Sequence, residues 1–355
     1  MSEFLHLKPK DQKQILDAYQ ESSSRFSAVT EKDIWVCWVL KHLFSMPEGI
    51  KKNMAFKGGT SLSKVYGVID RFSEDVDITL DYRQFEVVKG LNLQEGQTVP
   101  EERIGSGTRR RLDRALKQEV KSYITDIVAP YLRKCLEDIP SGKDCLVEVL
   151  EGGESLTLDF PSVLGKSKGQ YIRDTVLIEF GGRNIIKPNE SHTIKPYLAD
   201  EFPDFRFPIA ENVIVLSAER TFWEKATLIH VACHKPILAS SAARLSRHWF
   251  DLASMSIHAL GGGAVANIEL MQDVVSLKQV FFNSTVANYD KCLSGGFCLV
   301  PDIESLQHLT RDYNEMQTAN MLYGEKITFE SIMHDLKILE DKINILIKGS
   351  LNANQ

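Results

Sequence analysis

Between Phe56 and Leu80 the chain reads FKGGTSLSKVYGVIDRFSEDVDITL, and this segment holds the side chains best suited to chemistry. Gly58 and Gly59 carry no Cβ, so the backbone there can approach a ligand closely. Thr60, Ser61 and Ser63 follow at the expected start of a helix, where unpaired amide N–H groups and hydroxyls favour a phosphate. Asp75 and Asp77 stand two apart in the alternating run Asp75-Val76-Asp77-Ile78-Thr79-Leu80. In a strand that spacing puts both carboxylates on one face, within reach of one divalent cation. A phosphate-gripping loop beside a two-carboxylate metal site is the layout that phosphoryl or nucleotidyl transfer requires. The metal, Mg2+ or Mn2+, neutralises the triphosphate of an NTP and lowers the pKa of the attacking hydroxyl. Either half alone is commonplace, since Gly-Gly before a helix is most often a tight turn and Asp-x-Asp a solvated strand edge. Their occurrence together, in this order, is what points to function.

Several elements must hold these groups. Apolar spacing predicts helices over 10–20 and 31–46, then a short strand from Met54 to Phe56. A helix is expected from Thr60 to Asp70, with Leu62, Val65, Tyr66 and Ile69 on one side, and a strand from Asp75. The polar stretch 93–107 reads as a mobile loop. A long helix is expected over Thr108–Glu137, opening with Arg109-Arg110-Arg111. Strand-like runs follow at Cys145–Leu150, at Thr175–Phe180 (closed by Gly181-Gly182) and at Asn212–Leu216. Beyond Ser217 the pattern is almost wholly helical, clearest over 218–234 and 240–259. Phe329, Ile332, Leu336, Leu339, Ile343 and Leu346 form a final stripe, which is too short for an extended coiled coil and should pack on the body. The fold class expected is α+β: a mixed sheet flanked by helices over 1–210, and a helical lobe over 211–355 that completes the cleft.

The 355 residues are 43% hydrophobic and 25% charged, which excludes a disordered or fibrous chain. A net charge of -6 excludes a bulk polyanion binder, so any RNA contact needs a local basic patch. Arg103, Arg109, Arg110, Arg111, Arg114 and Lys117 form one candidate, with Arg109, Arg110 and Arg111 the proposed RNA contacts. Lys166, Lys168, Arg173, Arg183 and Lys187 form a second. The opening residues are polar, and no apolar run is long enough to span a bilayer. The six cysteines include no CxxC pair, so a cytoplasmic protein with reduced thiols and no membrane partner is expected.

Gly58-Gly59-Thr60-Ser61 followed by Asp75-Val76-Asp77 is similar to the signature of the DNA polymerase β-like nucleotidyltransferase superfamily. The fuller string resembles the AbiEii/AbiGii toxin family, which includes the MenT-type toxins of bacterial toxin–antitoxin systems. Fifteen residues separate Gly59 from Asp75, a spacing typical of this branch. The similarity continues in SAERTFWEKATLIHV (217–231) and RLSRHWFDLASM (244–255), so it covers most of residues 50–260. The resemblance implies a polymerase-β-like core and transfer of a nucleoside monophosphate from an NTP, in better-known relatives onto tRNA. It also implies a growth-inhibiting toxin with a separately encoded antitoxin.

The superfamily pattern asks for a third carboxylate between apolar residues on a neighbouring strand. Ile178-Glu179-Phe180 fits that form, with Asp174 held in reserve on the opposite face of an ideal strand. Lys225 matches the family's functional lysine and is expected at the triphosphate; otherwise it is a snorkelling lysine paired with Glu219 or Glu224. Asp251 matches a later family aspartate, to orient Lys225 or a water, unless it only pairs with Arg247 one turn back. Ser73, two residues before Asp75, is a candidate regulatory position, because a phosphate or nucleotidyl group there would crowd the carboxylates with negative charge. Two other readings stay open: an acceptor that is a protein hydroxyl or a small molecule such as an aminoglycoside, and a non-catalytic binding module on the same fold.

Overall fold

The structure, a computed structural model, describes residues 2–23, 25–91, 93, 97–100, 104–165, 173–235, 244–324 and 327–353. Arg103, Lys166, Lys168 and part of the expected loop 93–107 lie outside the described residues. The chain divides into two compact units. One comprises Met1–Val65, Phe72–Gly90 and Arg110–Leu216; the other comprises Tyr66–Arg71, Leu91–Arg109 and Ser217–Gln355.

The first unit is built on strands. Its two-residue pair β1 (Ser2–Glu3) and β8 (Phe205–Arg206) is parallel. The main sheet comprises β2 (Met54–Lys57), β3 (Val76–Asp81), β4 (Leu146–Val149), β5 (Ser155–Asp159), β6 (Thr175–Asn184), β7 (Asn189–Ile194) and β9 (Ala210–Leu216). Their order is β4-β5-β6-β3-β2-β9-β7. The sheet is mixed: β3 runs parallel to β6 and β2 to β9, while the other pairs are antiparallel. Period-two alternation sends Val76, Ile78 and Leu80 of β3, and Val176, Ile178 and Phe180 of β6, into the core. Asp77 and Glu179 face the other way. β6 continues through Gly181 and Gly182 instead of ending there, and a Cβ on Gly182 would collide with the Val120 side chain.

Helix α1 (Pro9–Ser22) leads to α2 (Ser27–Phe44), which packs on β9 and β6. From Val29 to Leu40 every residue of α2 is buried, as suits a helix enclosed on all sides. Three consecutive charges lie within that run, and each is paired. Glu31 accepts from Ser162 Oγ at 2.6 Å and from the Val163 amide at 2.7 Å. Lys32 Nζ lies 2.6 Å from Glu74 Oε2, and Lys64 Nζ 2.5 Å from Asp33 Oδ1. Charges this deep are tolerated only when matched. α3 is short, Gly58–Lys64. The expected continuation to Asp70 does not form: Gly67 takes φ +61°, and Arg71 instead pairs as a β-bridge with Leu322 in the second unit. The long helix is also interrupted. α4 (Ser106–Tyr123) passes through a π-turn (Ile124–Val128) into α5 (Ala129–Leu136), where Pro130 lacks the N–H that would close a regular turn.

The second unit consists mainly of α6 (Ala218–Cys233), α7 (Ser246–Ile257), α8 (Ala259–Ala266), α9 (Ile268–Phe281), α10 (Tyr289–Leu293), α11 (Ile303–Thr318) and α12 (Phe329–Ala353). Ser217 caps α6, its hydroxyl accepting from the Arg220 amide at 3.2 Å. α6 packs on α7, α8 and α9, and α12 on α7. Trp223 and Trp249 are fully buried, and their indole N–H groups donate to the carbonyls of Ala264 and Leu299. On α12 the stripe from Phe329 to Ile343 is buried, but Leu346 is exposed and Ile347 takes its place. A straight helix drifts from a strict seven-residue repeat. Among the described residues, no helix is long and apolar enough to cross a membrane.

Candidate active site

The carboxylates of the first unit are set by strand register. Asp77 of β3 stands directly beside Glu179 of β6, and on its other side beside Lys57 of β2. Registered neighbours on adjacent strands, about 4.8 Å apart, point to the same face. Lys57, Asp77 and Glu179 therefore form one row across three strands. Asp75 lies two residues ahead of Asp77, at the entry to β3. Asp75 and Asp77 are half-buried and Glu179 is exposed. Asp174 lies just ahead of β6, and its charge acts on Glu31 of α2, whose proton affinity is raised mainly by burial.

Gly58 is held against this row. Its φ of +82° suits glycine alone, and a Cβ there would run into the Asp77 carboxylate. The hydroxyls that follow are engaged by the chain itself. Thr60 Oγ1 donates to the Asp75 carbonyl at 2.6 Å and lies 3.0 Å from Ser73 Oγ. Ser61 Oγ donates to the Gly58 carbonyl at 2.9 Å, and Ser63 Oγ to the Thr60 carbonyl at 3.1 Å. Thr60 and Ser61 are buried. These side chains tie the glycine turn to the approach of the carboxylate strand. The donor set, hard carboxylate oxygens beside a turn with no Cβ, fits Mg2+ or Mn2+. Among the described residues, no three His, Cys, Asp or Glu side chains close a cage around an ion.

A second cluster lies within the second unit. Asp251 of α7 is fully buried and takes two cations. Arg71 reaches it with both arms of its fork, Nε to Oδ1 at 2.6 Å and Nη2 to Oδ2 at 2.7 Å. Lys225 Nζ of α6 reaches Oδ2 at 2.8 Å. Burial alone would raise the Asp251 pKa, but Arg71 and Lys225 outweigh it and hold the carboxyl well below its usual range. Burial lowers the Lys225 pKa; Asp251 opposes that shift, and Arg71 adds to it. Asp251 thus meets Lys225, as the family reading of it expects, and Arg71 besides; the alternative partners, Glu219 or Glu224 for Lys225 and Arg247 for Asp251, are not the ones that bond them. Sequence reasoning assigned Arg71 no role. The one available signal was the charged pair Asp70-Arg71 after the apolar run Val68-Ile69.

On α4, Arg110, Arg111 and Arg114 are exposed, whereas Arg109 is half-buried and donates to the Gln279 carbonyl at 3.4 Å. Lys117 pairs with Asp113 at 3.2 Å, and Arg183 bridges Asp113 and Glu154, both at 3.0 Å.

Comparison with known proteins adds three findings. The profile described as "Nucleotidyl transferase AbiEii toxin, Type IV TA system" matches residues 41–334. No curated protein matches the chain significantly in sequence. Among solved structures, the chain is similar to MenT4, a nucleotidyltransferase toxin from Mycobacterium tuberculosis, with a TM-score of 0.48 and 13% identity over 96% of this chain and 90% of that one.

Proposed function

The chain belongs to the AbiEii family of nucleotidyltransferase toxins of type IV toxin–antitoxin systems, and on that premise we propose that it transfers a nucleoside monophosphate from an NTP to RNA, tRNA above all. An NTP substrate and an antitoxin partner follow from the family; the acceptor, the metal and the residue roles are our reading.

The observation that carries this reading is the register of Asp77 with Glu179 beside Gly58. In the reading, Asp75, Asp77 and Glu179 would close on Mg2+, and the metal would neutralise the triphosphate and make the attacking hydroxyl more acidic. The turn at Gly58, Gly59, Thr60 and Ser61 accepts the triphosphate through its backbone, since the hydroxyls are engaged within the chain. Glu179, exposed at the edge of the row, is the group that can take the acceptor proton. Lys225 contacts the triphosphate, and Asp251 orients it. A cytoplasmic site of action belongs to the same proposal; the expected domain division at 210/211 falls within β9, which the first unit holds as far as Leu216.

Incubation with each labelled NTP, Mg2+ and total RNA, and in parallel with a ribonuclease-treated lysate, tests the acceptor. Label should appear in the tRNA fraction. Label in protein or in small molecules alone would refute RNA as the acceptor, and no label with any NTP would refute the site.

A further inference from the structure

Asp251 Oδ2 accepts from two cations at once, while Oδ1 accepts only from Arg71 among the bonds described above. A guanidinium fork of this kind fixes the plane of a carboxylate as well as its charge. Arg71 is itself anchored: its backbone bridges to Leu322, and the Tyr323 amide donates to the Asp70 carbonyl at 2.9 Å. Its side chain is 3% exposed and that of Asp251 0%, so neither end is free to wander.

We propose that Arg71 is a positioning residue for Lys225: by gripping Asp251 through both oxygens, it aims Oδ2 at the lysine and leaves the ammonium only partly neutralised, available to a triphosphate oxygen. The inference rests on the reading of Lys225 as the triphosphate contact. An ammonium has three donors, and Asp251 takes one of them. Were Lys225 the sole partner of Asp251, the two would close into a simple ion pair, with little positive potential left for substrate. With Arg71 sharing the carboxylate, three buried groups carry two positive charges and one negative. The charged and titratable groups facing the ammonium are Asp251, Arg247 and His248 of α7 together with Arg71, and burial keeps His248 neutral. Arg71 therefore fixes Asp251 toward Lys225 with its fork and, through its charge, leaves part of the positive potential of the ammonium unspent.

The experiment compares wild type, Lys225→Ala, Arg71→Lys and Arg71→Met by NTP titration and by the pH profile of kcat/KM. In wild type the alkaline limb reports loss of the Lys225 proton. Arg71→Met removes a neighbouring positive charge, so that limb should move up by about one pH unit while KM for NTP rises about tenfold. Arg71→Lys keeps the charge but not the fork; KM should rise severalfold with the limb unmoved. A merely structural arginine would lower the melting temperature and the amount of active enzyme without shifting either KM or the limb, and that outcome overturns the proposal. If Arg71→Met does not fold, wild-type KM in Arg71→Lys overturns it alone. Wild-type NTP affinity in Lys225→Ala would instead refute the reading of Lys225 on which the proposal rests.

Discussion

At the scale of single residues, the proposed function rests on the row through Asp77 and Glu179. On the proposed reading, Asp75→Ala and Asp77→Ala each delete a hard oxygen ligand at a half-buried position without opening a core cavity. Both should lose transfer by at least about a hundredfold while melting near wild type. Glu179→Gln should be severely impaired, whereas Asp174→Asn, just ahead of β6 and outside the row, should stay active. A quantitative transfer assay with a melting curve for each variant checks this, and the reverse order for Glu179 and Asp174 would show that the third carboxylate is misassigned. Ser73 belongs to the same scale. Its Oγ lies 3.0 Å from Thr60 Oγ1, in the contact that ties the glycine turn to the carboxylate strand. A phosphate there would place negative charge beside Asp75 and disturb that tie. Ser73→Asp should lose most transfer and Ser73→Ala little; full activity of Ser73→Asp would remove charge at this position as a switch.

At the scale of elements, α2 and α4 play different parts. α2 is the rail on which the parts of the first unit are fixed. Through Lys32 it holds Glu74, the residue before Asp75; through Asp33 it holds Lys64 at the end of α3. Buried pairs like these contribute little net stability but cost several kcal/mol when one partner is removed, so they specify geometry more than they add strength. α4 instead carries exposed positive charge. Arg110 and Arg111 face solvent, while Arg109 is half-buried and contacts the Gln279 carbonyl. If the helix tracks an RNA backbone, replacing all three by Ala should flatten the dependence of log Kd on log salt by about two units, the share of the two exposed arginines. Filter binding of tRNA from low to moderate salt measures that slope, and an unchanged slope would take α4 out of the RNA path.

At the scale of the whole molecule, stability should fall steeply on mild acidification. His42 is packed against Trp38, with ring centroids 4.3 Å apart, and its pKa is lowered to about 4, first by burial and then by Lys41, with Asp138 opposing. His230 is fully buried and is likewise lowered to about 4, by burial and then by His234. Each histidine is neutral in the folded state where the unfolded chain has already taken up a proton. The stability that this represents is complete above pH about 6.5 and is lost progressively as pH falls toward 4, by roughly 3 kcal/mol for each residue. His42→Phe should remove one share of the loss, so that its melting temperature falls less than that of wild type between pH 6.5 and 4. Parallel curves for the two proteins would show that His42 does not titrate in this way.

Local pattern alone determined much of this protein. Period two in Asp75–Leu80 sets two aspartates on one face, and Gly58-Gly59 marks a backbone turn without Cβ. The same alternation, extended one residue ahead of β6, already separates Glu179 from Asp174. These properties are local because they follow from φ, ψ and side-chain alternation over a few residues. Which of those two faces Asp77 shares was decided only by hydrogen-bonded register between strands about a hundred residues apart in sequence. The sequence pattern also misjudged Tyr66–Arg71, which reads as the end of a helix. Gly67 turns the chain, and the segment joins the helical unit, where Arg71 meets an aspartate 180 residues away. A buried ion pair of that kind leaves no periodic trace. It is set by which groups must be neutralised once water is excluded, and that is known only when the tertiary structure has formed.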